Sequence, residues 1–311
     1  MHSYDPPTVG VRLPHELQAD LSGLRAFVSR AEASGITRLV LGDHVTFKGG
    51  QGFDGLQNAT AVAVLTDRVV VETAVYLLTL RHPVPVARQI AGLAALAPGR
   101  VIFGVGVGGD DPAELRACGV DPSTRGKRMD ESLGIVRALI AGESVSARGR
   151  FFRLDGVRVR PVPARSVPIL VGGRSDAALR RTARYGDGWL GLWVSPKRYA
   201  DACAQVAAQA TEFGRGTTRW QHGMHVWCGL GDDRDRARAR LAGEMESLYK
   251  VGFDRFEKYS PYGRPADIAE ALLPYVEVGC RSFNLIATAE GAEQLIDGVQ
   301  LVQALLGDMS A

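Results

Sequence analysis

The chain has 311 residues, 46% of them hydrophobic and 23% charged, and its 37 basic and 34 acidic side chains give a formal charge of +3. This composition is typical of a globular protein with a sizeable core, and so small a net charge gives no electrostatic case for nucleic acid or a membrane surface as the main partner. Because we find no C-x-x-C pair, no metal-binding motif, no basic-then-apolar N-terminus and no apolar run of about 18 residues, we expect a cytoplasmic protein without a metal or a membrane span.

Predicted strands and helices alternate along the chain. Short apolar runs bounded by glycine, proline or polar residues predict strands, and apolar residues at helical spacing predict the helices between them. The predicted strands are 8–13, 39–41, 69–78, 100–107, 168–171, 188–194, 223–230 and 282–286. The predicted helices are 17–34 with a Gly35 cap, 83–96, 125–140, 176–185, 196–213, 232–251, 265–278 and 290–306.

Three segments interrupt this alternation. The glycine-rich segment 45–58 predicts a loop, residues 151–159 alternate around Asp155-Gly156 and predict a hairpin, and residues 253–264 are irregular. Strands that alternate with helices in this way predict an α/β protein, a (β/α)8 TIM barrel with loop and hairpin insertions. No composition break or linker divides the chain, so we predict one domain over residues 1–311.

The segment Leu39–His44 places ionisable side chains at the end of a strand. Its apolar run stops at Gly42, and Asp43 and His44 follow directly. Since α/β barrels carry their functional groups at the carboxyl ends of the strands, this pair is a candidate active site. The alternative is that Asp43 caps a turn and His44 is an ordinary loop histidine.

The fourth strand carries alternating glycines. The run from Gly104 to Gly109 satisfies G-x-G-x-x-G, but three strands precede it and two of its glycines lie inside the apolar run, unlike a dinucleotide fingerprint. Glycines that alternate in a strand remove side chains from one face. Either a flat ring or bulky barrel neighbours could fill that space.

The segment 172–176 follows the fifth strand and opens a helix, with Ser175 or Asp176 as candidate N-cap. Consecutive N–H groups at a helix start, together with Arg174, predict a local anion site suited to phosphate. A glycine turn with a surface arginine is the alternative.

Three further residues have less specific signals. Arg81 and His82 end the third strand, where they either face the barrel mouth or hold the loop on the rim. On the seventh strand, His225 is interpreted as a core histidine with its hydrogen bonds satisfied.

Six segments, in chain order, resemble the luciferase-like superfamily of flavin and deazaflavin enzymes. Together they cover nearly the whole chain. They are A-E-x-x-G-I-T-x-L-x-L-x-D-H at 31–44, R-H-P-x-x-x-A-R-Q at 81–89, P-G-R-V-x-F-G-V-G-x-G at 98–108, P-I-L-V-G-G at 168–173, A-R-Y-G-D-G-W at 183–189 and G-R-P-A-D-I-A-E-x-L at 263–272.

The resemblance implies a cofactor across the carboxyl-terminal mouth of a barrel. It implies that His44 contacts substrate or stabilises charge on the cofactor ring, and that the Ala74-Val75 pair bulges behind the ring, often through a non-prolyl cis peptide. It further implies that Gly106, Val107 and Gly108 run along the cofactor and that the loop 172–175 holds its phosphate. The cofactor-binding residues that it implies are Asp43, Ala74, Val75, Gly106, Val107, Gly108, Gly172, Gly173, Arg174 and Ser175.

The F420-dependent branch of the superfamily is the closer match, because of Asp43-His44, Ala74-Val75 and the glycine strand. It implies an oxidoreductase that transfers a hydride between coenzyme F420 and a small organic substrate, and a homodimer. A reduced-FMN-dependent monooxygenase that uses O2 is the alternative, and a barrel without catalytic activity is a third interpretation. Sugar-phosphate-oxidising members carry a glutamate just after the fourth-strand G-x-G, where this chain has Gly109 followed by Asp110 and Asp111, which argues against glucose-6-phosphate oxidation.

Overall fold

The computed structural model describes residues 6–50, 52–109 and 111–310. Their strands are β1 (Thr8–Arg12), β2 (Arg38–Leu41), β3 (Val70–Leu77), β4 (Val101–Gly106), β5 (Val145–Arg148), β6 (Arg153–Val157), β7 (Ile169–Gly172), β8 (Gly188–Leu192), β9 (Gly223–Leu230), β10 (Tyr262–Gly263) and β11 (Ser282–Thr288). Their α-helices are α1 (Leu21–Ala33), α2 (Phe47–Gly50), α3 (Gly55–Leu65), α4 (Pro83–Leu96), α5 (Pro112–Ala117), α6 (Arg125–Ile140), α7 (Asp176–Tyr185), α8 (Pro196–Glu212), α9 (Arg234–Tyr249), α10 (Pro265–Glu277) and α11 (Ala292–Ser310).

The strands form the predicted (β/α)8 TIM barrel. They pair in the order β10-β9-β11-β1-β2-β3-β4-β7-β8, and a further pairing of β8 with β9 closes the parallel sheet. The two-residue β10 lies beside β9, and β5 and β6 form a separate antiparallel hairpin. Among the described residues, no helix is long and apolar enough to cross a membrane.

The chain divides into two compact units. The first unit comprises Met1–Val40, Leu190–Gln205 and Gln221–Ala311, and the second comprises Leu41–Trp189 and Val206–Trp220. In the first unit, β9 and β11 pack against α9 and α11; in the second, β3, β4 and β7 pack against α3, α4 and α7. The interpretation of the chain as one domain stays a prediction.

Strand β3 is irregular near its carboxyl end. The peptide bond between Ala74 and Val75 is cis, and the register between β3 and β4 shifts between Thr73 and Tyr76. The glycines of β4 accommodate this bulge. A Cβ at Gly104 would overlap the Thr73 carbonyl oxygen, and one at Gly106 would lie 2.5 Å from Cγ2 of Val75. At these two glycines the structure therefore favours the packing interpretation of the alternating pattern.

The prediction of a loop over 45–58 is wrong, because this segment contains α2 and the start of α3. The carboxylate of Asp54 accepts the N–H groups of Leu56 and Gln57 and so caps α3. Small and apolar residues fill most positions of α3, so its sequence lacks the apolar–polar period that identifies an amphipathic helix. Helix α5 also went unpredicted, and a side-chain cap from Asp111 begins it.

The predicted hairpin has a different turn. Its strands are β5 and β6, and Asp155-Gly156 lies within β6 instead of between the strands. The turn lies at 149–152, where the carboxylate of Glu131 on α6 accepts the N–H groups of Arg150 and Phe151 at 2.9 and 3.0 Å. A contact with a distant helix thus sets the turn.

Local sequence determines where α1 begins and where it ends. It begins at Leu21 and not at residue 17, because the carboxylate of Asp20 accepts the N–H of Ser22. Its end is as predicted, since Gly35 follows it with a φ of +85° and donates its N–H to the carbonyl of Glu32.

Replacing Gly104 by alanine should lower the free energy of unfolding by about 2–3 kcal/mol, because the new Cβ meets backbone that cannot move aside. The matched control is Gly92→Ala. Gly92 is exposed in α4, and a Cβ there would meet nothing within 4 Å, so this change should be neutral or stabilise by up to about 1 kcal/mol. Urea unfolding curves measure both changes, and equal stability of the two variants would contradict the account of the bulge.

Candidate active site

All the residues of this site lie in the second unit. Asp43 follows β2, and its side chain is completely buried. Its Oδ1 accepts hydrogen bonds from the N–H of Gly55 and from Nη2 of Arg81, both at 2.9 Å. Its Oδ2 accepts the N–H of Leu77 at 2.8 Å and Nη1 of Arg81 at 2.6 Å. These four donors fill the acceptor positions of the carboxylate.

Arg81 is held as firmly as Asp43. Besides the two contacts with Asp43, its Nη2 donates to Oδ2 of Asp54 at 3.0 Å, and its guanidinium lies 4.3 Å from the centre of the Tyr76 ring. Burial alone would lower the pKa of Arg81, but Asp43, Tyr76 and Asp54 raise it above its ordinary value. Burial raises the pKa of Asp43, and Arg81 and the two backbone donors limit that rise. Arg81 therefore holds the loop on the rim, one of the two predicted alternatives.

His44 lies next to this ion pair in the chain and contacts a second carboxylate. Its Nδ1 is 3.1 Å from Oε2 of Glu114, and its ring stacks on Phe47 with the centroids 4.1 Å apart. The imidazole remains 30% exposed, whereas the side chain of Glu114 is only 4% exposed. Because the carboxylate of Glu114 can only accept a hydrogen bond from Nδ1, we assign the Nδ1–H tautomer to neutral His44, which leaves a lone pair on Nε2.

Glu114 fixes the backbone beyond His44 as well. Its Oε1 accepts the N–H groups of Val45 and Thr46 at 2.6 and 3.1 Å. Three residues earlier, Oδ2 of Asp111 accepts the N–H of Lys48 at 2.8 Å. The start of α5 thus binds the whole segment that carries His44.

Glu114 is a site residue that the sequence patterns did not reveal. The family pattern places an acid directly after the fourth-strand glycines, where this chain has Gly109, and Asp110 lies outside the described residues. The available signal was the D-P-A-E run at 111–114, in which an N-capping aspartate and a proline begin a short helix. His82, the other rim candidate, caps α4 by accepting the N–H of Val84 on Nδ1 at 3.3 Å.

Val75 is the exposed part of the β3 bulge. Ala74 is buried, but Val75 is partly exposed and fits between two glycines of neighbouring strands. A Cβ at Gly172 of β7 would lie 2.8 Å from Cγ1 of Val75, and Gly106 of β4 is the other glycine that it contacts. The result is a small apolar platform between two positions that carry no side chain.

Two segments that were predicted to bind the cofactor directly follow, in sequence, the two glycines of this platform. Val107 and Gly108 continue from β4, and the hydroxyl of Thr79 donates to the carbonyl of Val107 at 2.9 Å. The other segment, Gly173 to Ser175, continues from β7 and is exposed.

The loop after β7 has the geometry of a helix start. Gly173 has a φ of +124°, and its carbonyl accepts Nε1 of Trp189 at 2.7 Å. Ser175 is the N-cap of α7, because its Oγ accepts the N–H of Ala178 at 3.3 Å. Arg174 is exposed beside the first turn. This arrangement suits an anion such as phosphate. The described part of the chain has no cluster of histidine, cysteine and carboxylate side chains that could hold a metal ion.

Comparison with known proteins places these features in a family. A sequence profile of the luciferase-like monooxygenase family matches residues 2–282. The F420-dependent hydroxymycolic acid dehydrogenase of Mycobacterium tuberculosis is 32% identical over 283 residues, which cover 87% of this chain and 78% of that protein. An uncharacterised protein of the same species is 38% identical over 155 residues, so the chain spans about half (53%) of that relative.

Solved structures share the fold over almost the whole chain. An F420-dependent secondary alcohol dehydrogenase in complex with an F420-acetone adduct has a TM-score of 0.84 at 21% identity, with 97% of this chain and 99% of that one covered. The FMN-bound oxygenating constituent of 3,6-diketocamphane monooxygenase from Pseudomonas putida has a TM-score of 0.77 at 14% identity, with 97% and 98% covered.

Replacing Asp43 by asparagine should lower the free energy of unfolding by about 3–5 kcal/mol, because it removes the buried, bidentate ionic partner of Arg81 and leaves only the single contact with Asp54. Asp297→Asn is the matched control. That change breaks an ion pair with Arg30 in which both side chains are about half exposed (56% and 48%), so its expected cost is about 0–1 kcal/mol. Chemical unfolding of both variants tests this, and a cost for Asp43→Asn as small as that of the control would refute the role of the pair.

Proposed function

The chain belongs to the luciferase-like monooxygenase family, and we propose that it is an F420-dependent oxidoreductase acting on a small alcohol or the corresponding carbonyl compound. When bound, the deazaflavin supplies a C5 atom that accepts or donates a hydride. The relatives named as F420-dependent dehydrogenases support this choice.

The observation that carries the proposal is the Val75 platform. Its partly exposed side chain fits against Gly106 and Gly172, and neither glycine presents a side chain to a flat ring that lies on Val75. In this proposal the ring lies against Val75, and Val107 and Gly108 border it. The side chain of Ala74 is buried behind the platform.

The loop from Gly172 to Ser175 supports the same placement. It begins at the strand that contacts Val75, and it ends at the N-cap of the ten-residue helix α7. The first-turn N–H groups and Arg174 would hold the cofactor phosphate. The site residues thus fit both the ring and the phosphate of the proposed cofactor.

His44 and Glu114 provide the acid–base chemistry. With Nδ1 donating to Glu114, Nε2 of His44 can accept the hydroxyl proton of an alcohol as a hydride leaves its carbon. The buried negative charge of Glu114 stabilises the imidazolium that forms, and in the reverse direction the imidazolium returns the proton to a carbonyl oxygen. Asp43 has no acceptor position left, so its role in this proposal is to fix the backbone from which His44 projects.

The alternative is a reduced-FMN-dependent monooxygenase, which the family description and the FMN-bound structural neighbour favour. A sugar-phosphate oxidase is disfavoured because Gly109 stands where those enzymes carry a glutamate. The homodimer and the cytoplasmic location both stay predictions.

The test of the function is anaerobic turnover of the full chain with F420 and a panel of small secondary alcohols. We expect the visible absorbance of oxidised F420 to decrease with at least one alcohol, and the reaction to need no oxygen. If F420 stays oxidised throughout the panel while the protein consumes oxygen with reduced FMN, the monooxygenase alternative replaces the proposal.

In the same assay, His44→Asn should lower kcat by about 10²–10⁴-fold, because it removes the proton acceptor. Glu114→Gln keeps the shape of the side chain but removes its charge, and should lower kcat roughly tenfold or more. Both variants should bind F420 with nearly unchanged affinity, and His15→Asn, on an exposed 3-10 turn, is the matched control.

A double-variant cycle separates positioning from general stability. If Glu114 acts through His44, the double variant should be no slower than His44→Asn alone. Losses of kcat that multiply in the double variant would contradict the coupling between the two residues.

A further inference from the structure

Arg12, in the first unit, is a partly exposed cation whose side chain has no direct partner among the described residues. It is the last residue of β1, at the carboxyl end of the strand, and it is only partly exposed. Within the described residues, its guanidinium forms no hydrogen bond, ion pair or ring contact. The hydroxyl of Tyr249 and the carboxyl group of Glu244 act on it electrostatically, without a hydrogen bond or an ion pair. Burial lowers the pKa of Arg12, and these two groups only partly oppose the effect.

A second polar side chain without a hydrogen-bond partner, His225, also lies in the first unit. His225 on β9 is 7% exposed, and its Nε2 is buried with no hydrogen-bond partner in the described structure. Burial and the charge of Arg12 lower its pKa to about 3, so the ring is neutral at physiological pH. The prediction of a core histidine is therefore right about its burial and wrong about its hydrogen bonding.

The strand register brings these two residues to neighbouring levels of the sheet. On β11, Asn284 pairs with His225 on one side and with Gly10 on the other. Arg12 lies two residues beyond Gly10, and therefore one level nearer the carboxyl end on the same face of β1.

Aromatic rings lie beside this polar pair. The hydroxyl of Tyr249, which acts on Arg12 electrostatically, accepts a hydrogen bond from Nε1 of Trp227 at 3.2 Å. The Tyr249 ring lies 5.2 Å from that of Trp193 and 5.4 Å from that of Phe256, between centroids. Trp193, Tyr249 and Phe256 are all partly exposed. The surroundings of Arg12 therefore combine a cation with apolar surface.

An unpaired, partly buried guanidinium is costly to the folded state, and a second unpaired polar atom adds to that cost. Proteins retain such groups where a ligand completes them. Guanidinium groups bind carboxylates through charge-assisted hydrogen bonds, and a neutral imidazole N–H adds a donor.

We propose that Arg12 and His225 form a binding site for the carboxylate of an amphipathic ligand whose apolar part packs against the neighbouring aromatic rings. Arg12 supplies the charge, and His225 donates from Nε2. The existence of this site does not depend on the proposed function.

The test is isothermal titration calorimetry of the full chain at low ionic strength with 4-phenylbutyrate and, separately, 4-phenylbutan-1-ol. We expect the carboxylate to bind roughly tenfold or more tightly than the alcohol, as for a hydrogen-bonded charge. This comparison on the wild-type chain needs no variant. Equal affinity for the two ligands, or no binding of the carboxylate, would overturn the proposal.

Variants then locate the charge. Arg12→Gln should weaken 4-phenylbutyrate binding at least about tenfold and change alcohol binding little. Arg25→Gln, an exposed arginine on α1 of the same unit, should bind both ligands like the wild type. Retained preference in Arg12→Gln, or an equal loss in Arg25→Gln, would assign the binding elsewhere.

F420 carries carboxylates of its own, so the titration is repeated at saturating F420. Undiminished 4-phenylbutyrate binding is expected, and it supports a ligand other than the cofactor. Competition with F420, together with weaker F420 binding by Arg12→Gln, would overturn that assignment. Because the first titration contains no cofactor, failure of the site and failure of the F420 proposal are distinguishable.

Discussion

The bidentate ion pair between Asp43 and Arg81 is the interaction on which the second unit's site depends. It joins the segment after β2 to the segment after β3, and the same carboxylate accepts hydrogen bonds from the N–H groups of Gly55 at the start of α3 and Leu77 at the end of β3. Three separate segments, at Gly55, Leu77 and Arg81, therefore donate hydrogen bonds to one buried carboxylate. His44 is the next residue in the chain, so the direction of its side chain follows from this pair.

The glycines of the barrel also determine the geometry of the site, because they leave space for neighbouring atoms. Gly104 and Gly106 leave space for the bulge of β3, and Gly172 completes the space around Val75. The bulge turns a partly exposed apolar side chain towards the ends of the strands. Glu114 then adds a buried charge behind His44, so an apolar platform and an acid–base pair both belong to one unit.

Local sequence patterns predicted the barrel and the strand end at Asp43, because burial between helices makes each strand a continuous apolar run. They could not predict α3, whose small apolar residues lack an amphipathic period, or the hairpin turn, which Glu131 determines from another helix. Glu114 is 70 residues from His44, and only the fold brings the two together. Arg12 gave no signal, since a missing partner is visible only when the neighbours are known.

Whether the Val75 platform and the loop after β7 hold a deazaflavin cofactor can be measured by an equilibrium fluorescence titration of the full chain with F420 and with FMN. We expect saturable binding of F420 at micromolar or lower concentration and FMN binding at least about tenfold weaker. Tighter binding of FMN, or binding of neither, would contradict this expectation.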